Sequence, residues 1–114
     1  FQSYKWAQLP ILEFENTVTS YHIFPLRIDG IDENARDLII DEISKYNVAV
    51  NVHFIPLPML SLFKELGYKI DNFPVAYDNY AREISLPIYP QLTNDQIEYI
   101  VKVVVDSYNK VVND

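Results

Sequence analysis

Residues 93–112, TNDQIEYIVKVVVDSYNKVV, carry the most regular pattern in this chain of 114 residues. Thr93 and Gln96 have the spacing of a capping box, in which each side chain accepts a hydrogen bond from a backbone N–H at a helix start. The apolar side chains that follow recur every three or four residues. They are Ile97, Ile100, Val101, Val104, Val105, Tyr108 and Val112. The pattern predicts a long amphipathic helix that packs this stripe against a core.

A strand and a second amphipathic helix are predicted earlier in the chain. Residues 21–28, YHIFPLRI, are rich in β-forming side chains and end at an Asp-Gly turn, which is typical of a strand. Pro25 has no N–H to donate, and this favours an edge strand or a bulge. Asp32 is a candidate N-cap for a helix over residues 33–46, where apolar side chains again recur at spacings of three and four.

Three shorter elements are predicted between the helix over residues 33–46 and the helix over residues 93–112. They come in addition to a second strand, which is described below. Residues 59–66 can form a short helix that ends at Gly67, since glycine is the usual residue just past a helix end. Another short helix is predicted over residues 73–83, with Asn72 as its N-cap and a proline in its first turn. Residues 84–86 are expected to form a short third strand.

The second predicted strand carries the main candidate for a functional side chain. Residues 48–54 alternate between valines and other side chains, which places His53 on the face opposite the valines. The ends of strands are common places for functional groups. The ordinary alternative is an imidazole that only bonds a neighbouring backbone group. For His22 we expect a structural role. Two histidines supply too few ligands for a metal site, and we expect none.

The order of elements is strand, helix, strand, two short helices, short strand and long helix. This order implies a small sheet of about three strands with helices mainly on one face, in an α/β or, as we predict, α+β two-layer sandwich. Residues 1–19 show neither helical nor strand periodicity and are expected to be an extended lead-in to one domain over residues 20–114. The aromatic rings in residues 1–6 are expected to lie against a partner surface.

Composition and charge exclude several classes of function. Gly30 and Gly67 are the only glycines, so no Gly-rich loop can hold a phosphate or a dinucleotide. The absence of cysteine excludes disulfides, thiolate chemistry and Cys-based zinc sites. A formal charge of −7 with scattered basic residues argues against nucleic-acid and membrane-surface partners. No apolar run approaches the roughly 20 residues of a membrane span and no signal pattern is visible, so we expect a cytoplasmic protein.

One catalytic motif is matched only by chance. Ser61 and Lys64 fit the Ser-x-x-Lys pattern of penicillin-recognising enzymes. The companion motifs Ser-Asp-Asn and Lys-Thr-Gly do not occur in the sequence. We therefore assign no nucleophile to this pair and expect Lys64 to be a solvated helix residue.

Five stretches in series resemble the DegT/DnrJ/EryC1/StrS family of sugar aminotransferases. Their order and spacing agree with the family from residue 20 to about residue 105. They are SYHIFPLRI at 20–28, VHFIPL at 52–57, FKELGY at 63–68, FPVA at 73–76 and ISLPIYPQLT at 84–93. The resemblance implies the carboxy-terminal small domain of a pyridoxal phosphate (PLP) enzyme with the aspartate-aminotransferase fold, and residues 1–19 would lead in from its large domain.

The resemblance also implies where the chemistry lies. In this family the large domain carries the Schiff-base lysine, and active sites form at a dimer interface. No lysine here lies in that motif and no aspartate matches the partner of the cofactor's ring nitrogen. We therefore expect no catalytic or cofactor-binding residue in this chain, no bound PLP and no transamination by the chain alone. His53 matches a family histidine that faces the substrate pocket. Tyr21, His22 and Arg27 also match family positions, and we expect structural roles for them.

Two positions depart from the family pattern and bear on the substrate. Pro58 stands where the family often has a second histidine, and Tyr77 where it usually has glutamate. The implied reaction moves an amino group from glutamate to a keto-sugar of a nucleotide sugar. The implied partners are the chain's own large domain and a second subunit of a homodimer. The alternative is a stand-alone ligand-binding or protein-interaction domain derived from this fold.

Overall fold

A three-stranded antiparallel sheet forms the centre of the computed structural model, which describes residues 1–113. Its strands are β1 (Ala7–Gln8), β4 (Phe24–Ile28) and β5 (Glu83–Leu86), in the order β1-β4-β5. Between β1 and β4 lies a two-stranded hairpin of β2 (Glu13–Phe14) and β3 (Thr17–Val18). The predicted first and third strands are therefore confirmed, although only the last five residues of the first form a strand.

Within residues 1–113, four α-helices accompany the sheet. They are α1 (Glu33–Ser44), α2 (Ser61–Glu65), α3 (Pro74–Ala81) and α4 (Asn94–Val112), with two 3₁₀ turns at Leu57–Met59 and Ile70–Asn72. The two long helices pack against each other and against one face of the sheet. The predicted α+β fold with a small sheet and helices is confirmed. None of the helices in the described part of the chain has the length and apolarity that crossing a bilayer requires.

The core lies between the sheet and the two long helices. The side chains of β4 and β5 alternate between the two sheet faces, so Leu26 and its cross-strand partner Ile84 enter the core together. Both are fully buried, as are Ile39 and Ile43 of α1. The opposite sheet face therefore carries the remaining side chains of these strands, which are Pro25, Arg27, Glu83 and Ser85.

The predicted caps at both long helices are confirmed. The Asp32 side chain accepts a hydrogen bond from the backbone N–H of Ala35 at 2.8 Å. Thr93 and Gln96 form the reciprocal capping box, with distances of 3.0 and 3.3 Å. Each cap satisfies N–H groups that have no partner inside their helix.

The predicted apolar stripe of α4 is correct at its centre and wrong at its ends. Val104 and Val105 are buried, as is Val103, which the prediction omitted. Ile97 and Val112 are exposed. A helix of 19 residues is about 28 Å long, whereas a five-residue strand spans about 17 Å, so the sheet is too short to cover the whole of α4.

The predicted end of α2 is confirmed. Gly67 has a φ of +89°, which a side chain would strain, and its N–H donates to the carbonyl of Lys64 at 3.0 Å. The N–H of Tyr68 donates to the carbonyl of Phe63 at 3.0 Å. These two bonds form a Schellman motif, and the rings of Phe63 and Tyr68 complete it with centroids 5.9 Å apart.

The predicted cap of α3 by Asn72 is wrong. Asn72 lies inside the 3₁₀ turn, where its N–H and that of Phe73 bond backwards to Lys69 and Ile70. Phe73 becomes the N-cap and makes no side-chain hydrogen bond there. Pro74 still occupies the first turn of the helix, where its missing N–H removes no bond.

Pro25 lies in the central strand of the sheet, but at a position that β1 does not reach, so locally it is at an edge, which is one of the two positions that the sequence predicted. The N–H of Ile28 donates to the carbonyl of Arg82 on the β5 side. Since N–H groups alternate along a strand, the nitrogen of Pro25 faces the β1 side. β1 pairs only with Arg27 and Ile28, and Pro25 lies past its end. No ladder bond is lost there.

The predicted strand over residues 48–54 is wrong. Only one antiparallel bridge forms, between Asn51 and Ser85 at the outer edge of β5. Beyond it, the N–H of His53 donates to the side chain of Glu83 and not to a backbone carbonyl. Backbone pairing with β5 ends there because the side chain of Glu83, 30 residues away in sequence, accepts the hydrogen bond from the His53 N–H.

The rings near the start of the chain do not need the partner surface that we expected. Trp6 stacks on Tyr108 of α4, with ring centroids 4.1 Å apart. Phe1 and Trp6 both pack against the core. Ala7 pairs with Ile28 across the sheet, so this part of residues 1–19 is attached to the sheet.

Candidate functional site

The sheet face opposite the core carries a cleft of about 410 Å³. Its walls come from β4, from the segment around His53, from α3 and from the residues that follow β1. The lining residues are Pro10, Ile11, Pro25, Arg27, His53, Phe54, Ala76, Asn79, Tyr80 and Glu83. This volume is within the range of small-ligand sites, and apolar walls with a few polar groups are typical of them.

His53 is half-buried in this cleft, as expected for a candidate binding residue. Its Nε2 lies 3.5 Å from the side-chain nitrogen of Asn51. Its Nδ1 is buried and has no hydrogen-bond partner among the described residues. The ring meets the edge of Phe54 at a centroid distance of 4.7 Å, and the peptide bond between the two residues is cis. A buried polar atom without a partner is unfavourable for folding.

Glu83 fixes the backbone at His53. Its Oε2 accepts the His53 N–H at 3.0 Å, and its Oε1 accepts a hydrogen bond from the Ser85 hydroxyl. Glu83 is only 4% exposed. Both oxygens of this buried carboxylate therefore have a donor.

Arg27 supplies a positive charge to the same cleft. Its Nη1 donates to the side-chain oxygen of Asn79 on α3. Within residues 1–113, none of the ion pairs involves Arg27. An anionic ligand in the cleft would therefore meet a guanidinium that no carboxylate contacts directly, although Glu83 lies beside it across the sheet and also lines the cleft.

A cluster of polar side chains holds α3 against α1. Glu33 accepts hydrogen bonds from the hydroxyls of Tyr77 and Tyr80 at 3.1 and 2.8 Å. The buried Arg36 donates to the Tyr80 carbonyl at 2.8 Å and lies 4.8 Å from the centre of its ring. The bond to Glu33 raises the pKa of Tyr77, and burial raises the pKa of Tyr80. Tyr77, one of the two departures from the family pattern, thus fixes the helix that supplies Asn79.

The other residues that the sequence singled out lie outside the cleft. His22 is exposed, and its Nδ1 is 3.1 Å from the Ser20 hydroxyl. Pro58 lies in the first 3₁₀ turn, and Ser61 and Lys64 are exposed on α2. In the part of the chain that the structure describes, no three histidine, cysteine, aspartate or glutamate side chains are grouped to hold a metal ion.

Sequence reasoning missed Glu83 and Asn79, and it expected only a structural role for Arg27, which lines the cleft. A signal for Glu83 was available, because an acidic residue directly precedes the apolar strand that was predicted over residues 84–86. Charged side chains are rarely buried unless they have a partner. Asn79 gave no signal, since an asparagine on an exposed helix is ordinary. Its proximity to Arg27 depends on how α3 packs.

The lining of this cleft does not fit PLP by itself. The cofactor needs a lysine to bind its aldehyde, and no lysine lines the cleft. Lys45 and Lys110 pair with Glu42, and Lys102 pairs with Asp106 on the solvent face of α4. We derive no reaction step through the cofactor from these residues.

The sheet with its core on one face and a ligand-sized cleft on the other defines a two-layer α+β domain that presents an imidazole and a guanidinium. The chain belongs to the DegT/DnrJ/EryC1/StrS aminotransferase family, whose model matches residues 2–105. The resemblance seen in the sequence is thereby confirmed.

Similar proteins occur in archaea and bacteria. An uncharacterised protein of Methanocaldococcus jannaschii is 43% identical over 75% of this chain and 22% of its own length. The spore coat polysaccharide biosynthesis protein SpsC of Bacillus subtilis is 32% identical over 76% of this chain and 23% of its own length. The chain thus spans about a quarter of the length of the relatives it matches.

Solved structures match the fold as a whole. A Streptococcus pneumoniae protein assigned as a sugar aminotransferase, in its pyridoxamine phosphate (PMP) form, superposes with a TM-score of 0.90 at 33% identity. The match covers 94% of this chain and 27% of that protein. The same protein is also known in a PLP form. Helicobacter pylori PseC has a TM-score of 0.84 at 22% identity, which shows likeness of fold alone.

Proposed function

We propose that this chain is the carboxy-terminal small domain of a PLP-dependent nucleotide-sugar aminotransferase. The complete enzyme would transfer an amino group from glutamate to a keto-sugar. In this proposal residues 20–114 are the domain and residues 1–19 lead in from the large domain. The observation that carries the proposal is the match of the aminotransferase family model to residues 2–105, and the half-buried His53 imidazole in the cleft is the side chain placed to meet a ligand.

The names of the relatives support a sugar as the amino acceptor. A dTDP-4-amino-4,6-dideoxy-D-glucose transaminase of Escherichia coli is 28% identical over 79% of this chain. The SpsC protein is named for polysaccharide biosynthesis. Both substrates of the proposed reaction are anionic, as glutamate carries carboxylates and a nucleotide sugar carries a diphosphate. The Arg27 guanidinium and the His53 imidazole suit such ligands.

The proposal assigns cofactor chemistry to the rest of the polypeptide. The cleft in this chain has no lysine, and the matched relatives are about four times as long as the match. When bound elsewhere in the enzyme, PLP supplies the electron sink that transamination needs. The role of this domain is to face the substrate with His53 and to close the site against water.

The exposure of apolar side chains between His53 and α3 supports the proposal that this chain is part of a larger enzyme. The two 3₁₀ turns and α2 contain no buried residue. Large apolar side chains in and beside this segment are nevertheless exposed. They are Phe54, Ile55, Leu57, Leu60, Leu62, Leu66, Tyr68, Phe73 and Val75. We name these residues the apolar face.

The occupant proposed for the apolar face is the remainder of the same polypeptide. Exposed apolar patches of this extent mark interaction surfaces. Phe54 belongs both to this face and to the cleft lining, so whatever covers the face also reaches the site. A second subunit is the other outcome to be tested.

The test uses the full-length enzyme encoded by the reading frame that contains this chain. The PLP-loaded enzyme is mixed with glutamate, and its absorbance is followed as the PLP form converts to the PMP form. We expect conversion with glutamate and its reversal by a keto-sugar nucleotide from a panel of dTDP- and UDP-linked sugars. An enzyme without a Schiff-base lysine, or without this spectral change, would contradict the proposal.

A further inference from the structure

Glu83 lies at the junction between β5 and the segment that carries His53. Its side chain is buried, yet none of the ion pairs among residues 1–113 involves its carboxylate. Burial of a carboxylate is unfavourable unless hydrogen bonds compensate for the water it loses. Here the compensating donors are the His53 backbone N–H at 3.0 Å and the Ser85 hydroxyl. The position of this carboxylate is therefore tied to the backbone at His53.

The bond to His53 replaces one that the sheet would otherwise make. Asn51 and Ser85 exchange both backbone hydrogen bonds, at 3.2 and 2.7 Å. In an antiparallel ladder the next such pair lies two residues along each strand, which here would be His53 and Glu83. The His53 N–H instead meets the Glu83 side chain, and the Glu83 carbonyl accepts a hydrogen bond from Arg36 at 3.4 Å. The side chain thus holds His53 away from the sheet plane that a regular strand would follow.

This displacement determines where the imidazole lies. If the ladder continued, His53 would follow the edge of β5 as a regular strand residue. Instead the chain departs from the sheet at Val52, whose N–H bonds the Asn51 side chain at 2.8 Å. His53 and Phe54 then line the cleft together with Glu83 itself.

We propose that Glu83 is the positioning residue of this site: its carboxylate holds the His53 backbone so that the imidazole faces the substrate. This inference rests on the proposed function, since it requires His53 to contact substrate. Ser85 supports the arrangement by fixing the second oxygen of Glu83. Neither Glu83 nor Ser85 needs to touch the substrate for this role.

The test is a double-mutant cycle in the full-length enzyme, read as kcat/KM. We expect Glu83→Ala to lower kcat/KM at least about tenfold, because the His53 backbone N–H loses the acceptor that fixes its position. This decrease in kcat/KM should not add to the decrease caused by His53→Ala. The variant that carries both substitutions should therefore have a kcat/KM within about twofold of that of His53→Ala. Glu83→Gln keeps an acceptor oxygen for the His53 N–H and should retain activity within about threefold of wild type.

A second variant covers the case in which Glu83→Ala does not fold. Ser85→Ala leaves Glu83 in place but removes the donor to one of its oxygens. It should lower kcat/KM less than Glu83→Ala does, and this decrease should again not add to the decrease caused by His53→Ala. Glu42→Gln is the matched control, because Glu42 is another buried acid with two donors but lies on α1 near α4. It should leave kcat/KM unchanged.

The outcomes separate the two proposals. If His53→Ala lowers activity and the losses from Glu83→Ala or Ser85→Ala add to it fully, Glu83 is only structural and the positioning role is wrong. If His53→Ala leaves both substrates' kinetics unchanged while the enzyme transaminates, the positioning role and the His53 assignment both fail but the enzyme class stands. If no transamination occurs with wild type, the proposed function itself fails.

Discussion

Trp6 stacks on Tyr108 with 4.1 Å between ring centroids and 18° between ring planes. The contact joins the beginning of the chain to the last helix. Stacked aromatic pairs contribute about 1 kcal/mol beyond the area they bury. Tyr108→Leu, which keeps an apolar side chain, should therefore lower the free energy of unfolding by about 1 kcal/mol.

Urea unfolding followed by fluorescence measures this loss, because Trp6 is the only tryptophan. Tyr89→Leu is the control, since Tyr89 is exposed in the loop after β5. It should shift the midpoint little. Equal shifts for the two variants would mean that the stack does not stabilise the chain.

The two helix caps provide a second prediction. Asp32→Ala and Thr93→Ala each remove an acceptor from an N–H group at a helix start. Each should cost about 1 kcal/mol of stability. Asp41→Ala, on an exposed position within α1, is the control and should cost less. Thermal unfolding of the three variants measures these losses of stability. A loss for Asp41→Ala as large as those for Asp32→Ala and Thr93→Ala would contradict the prediction.

These caps could be predicted because each depends on residues three positions apart. The same holds for the end of α2, where the N–H groups of Gly67 and Tyr68 reach back only to Lys64 and Phe63. The predicted strand over residues 48–54 failed because its end is decided by Glu83, which is distant in sequence. His53 was singled out from its place at the end of a predicted strand and from its match to a family position, and its role in binding is still a prediction. Glu83 was missed because its role depends on that long-range contact.

Glu42 gives a prediction about pH. The hydrogen bonds from Lys110 and Lys45 hold the pKa of this carboxyl below its ordinary value of 4.5. A carboxyl whose pKa is lower in the folded state adds stability above the unfolded-state pKa and loses it as pH falls through the folded-state pKa. Wild type should therefore be more stable than Glu42→Gln at neutral pH, with the difference shrinking below about pH 4.5.

Urea midpoints of both proteins between neutral and acidic pH check this expectation. Glu98→Gln is the control, because Glu98 is exposed on α4. A Glu42→Gln difference that persists unchanged at the lowest pH would show that the ionised carboxylate is not its source.

The apolar face gives a prediction for the full-length enzyme. Leu62 on this face is 62% exposed and Leu38 on α1 is 57% exposed. If the rest of the polypeptide covers the apolar face, Leu62→Asp buries a charge and should lower the melting temperature by several degrees. Leu38→Asp should change it little. Equal effects would show that the apolar face is not covered, and dissociation without loss of melting temperature would identify a second subunit as the occupant.

The central claim is that the cleft around His53 faces the substrate of an aminotransferase. Its most direct test compares His53→Ala with His22→Ala in the full-length enzyme, measuring kcat/KM separately for glutamate and for the keto-sugar nucleotide. The account predicts a loss of about tenfold or more for at least one substrate with His53→Ala, as expected for a hydrogen bond to a charged group. It predicts little change with His22→Ala, since His22 lies outside the cleft. Unchanged kinetics for both substrates with His53→Ala would contradict the account.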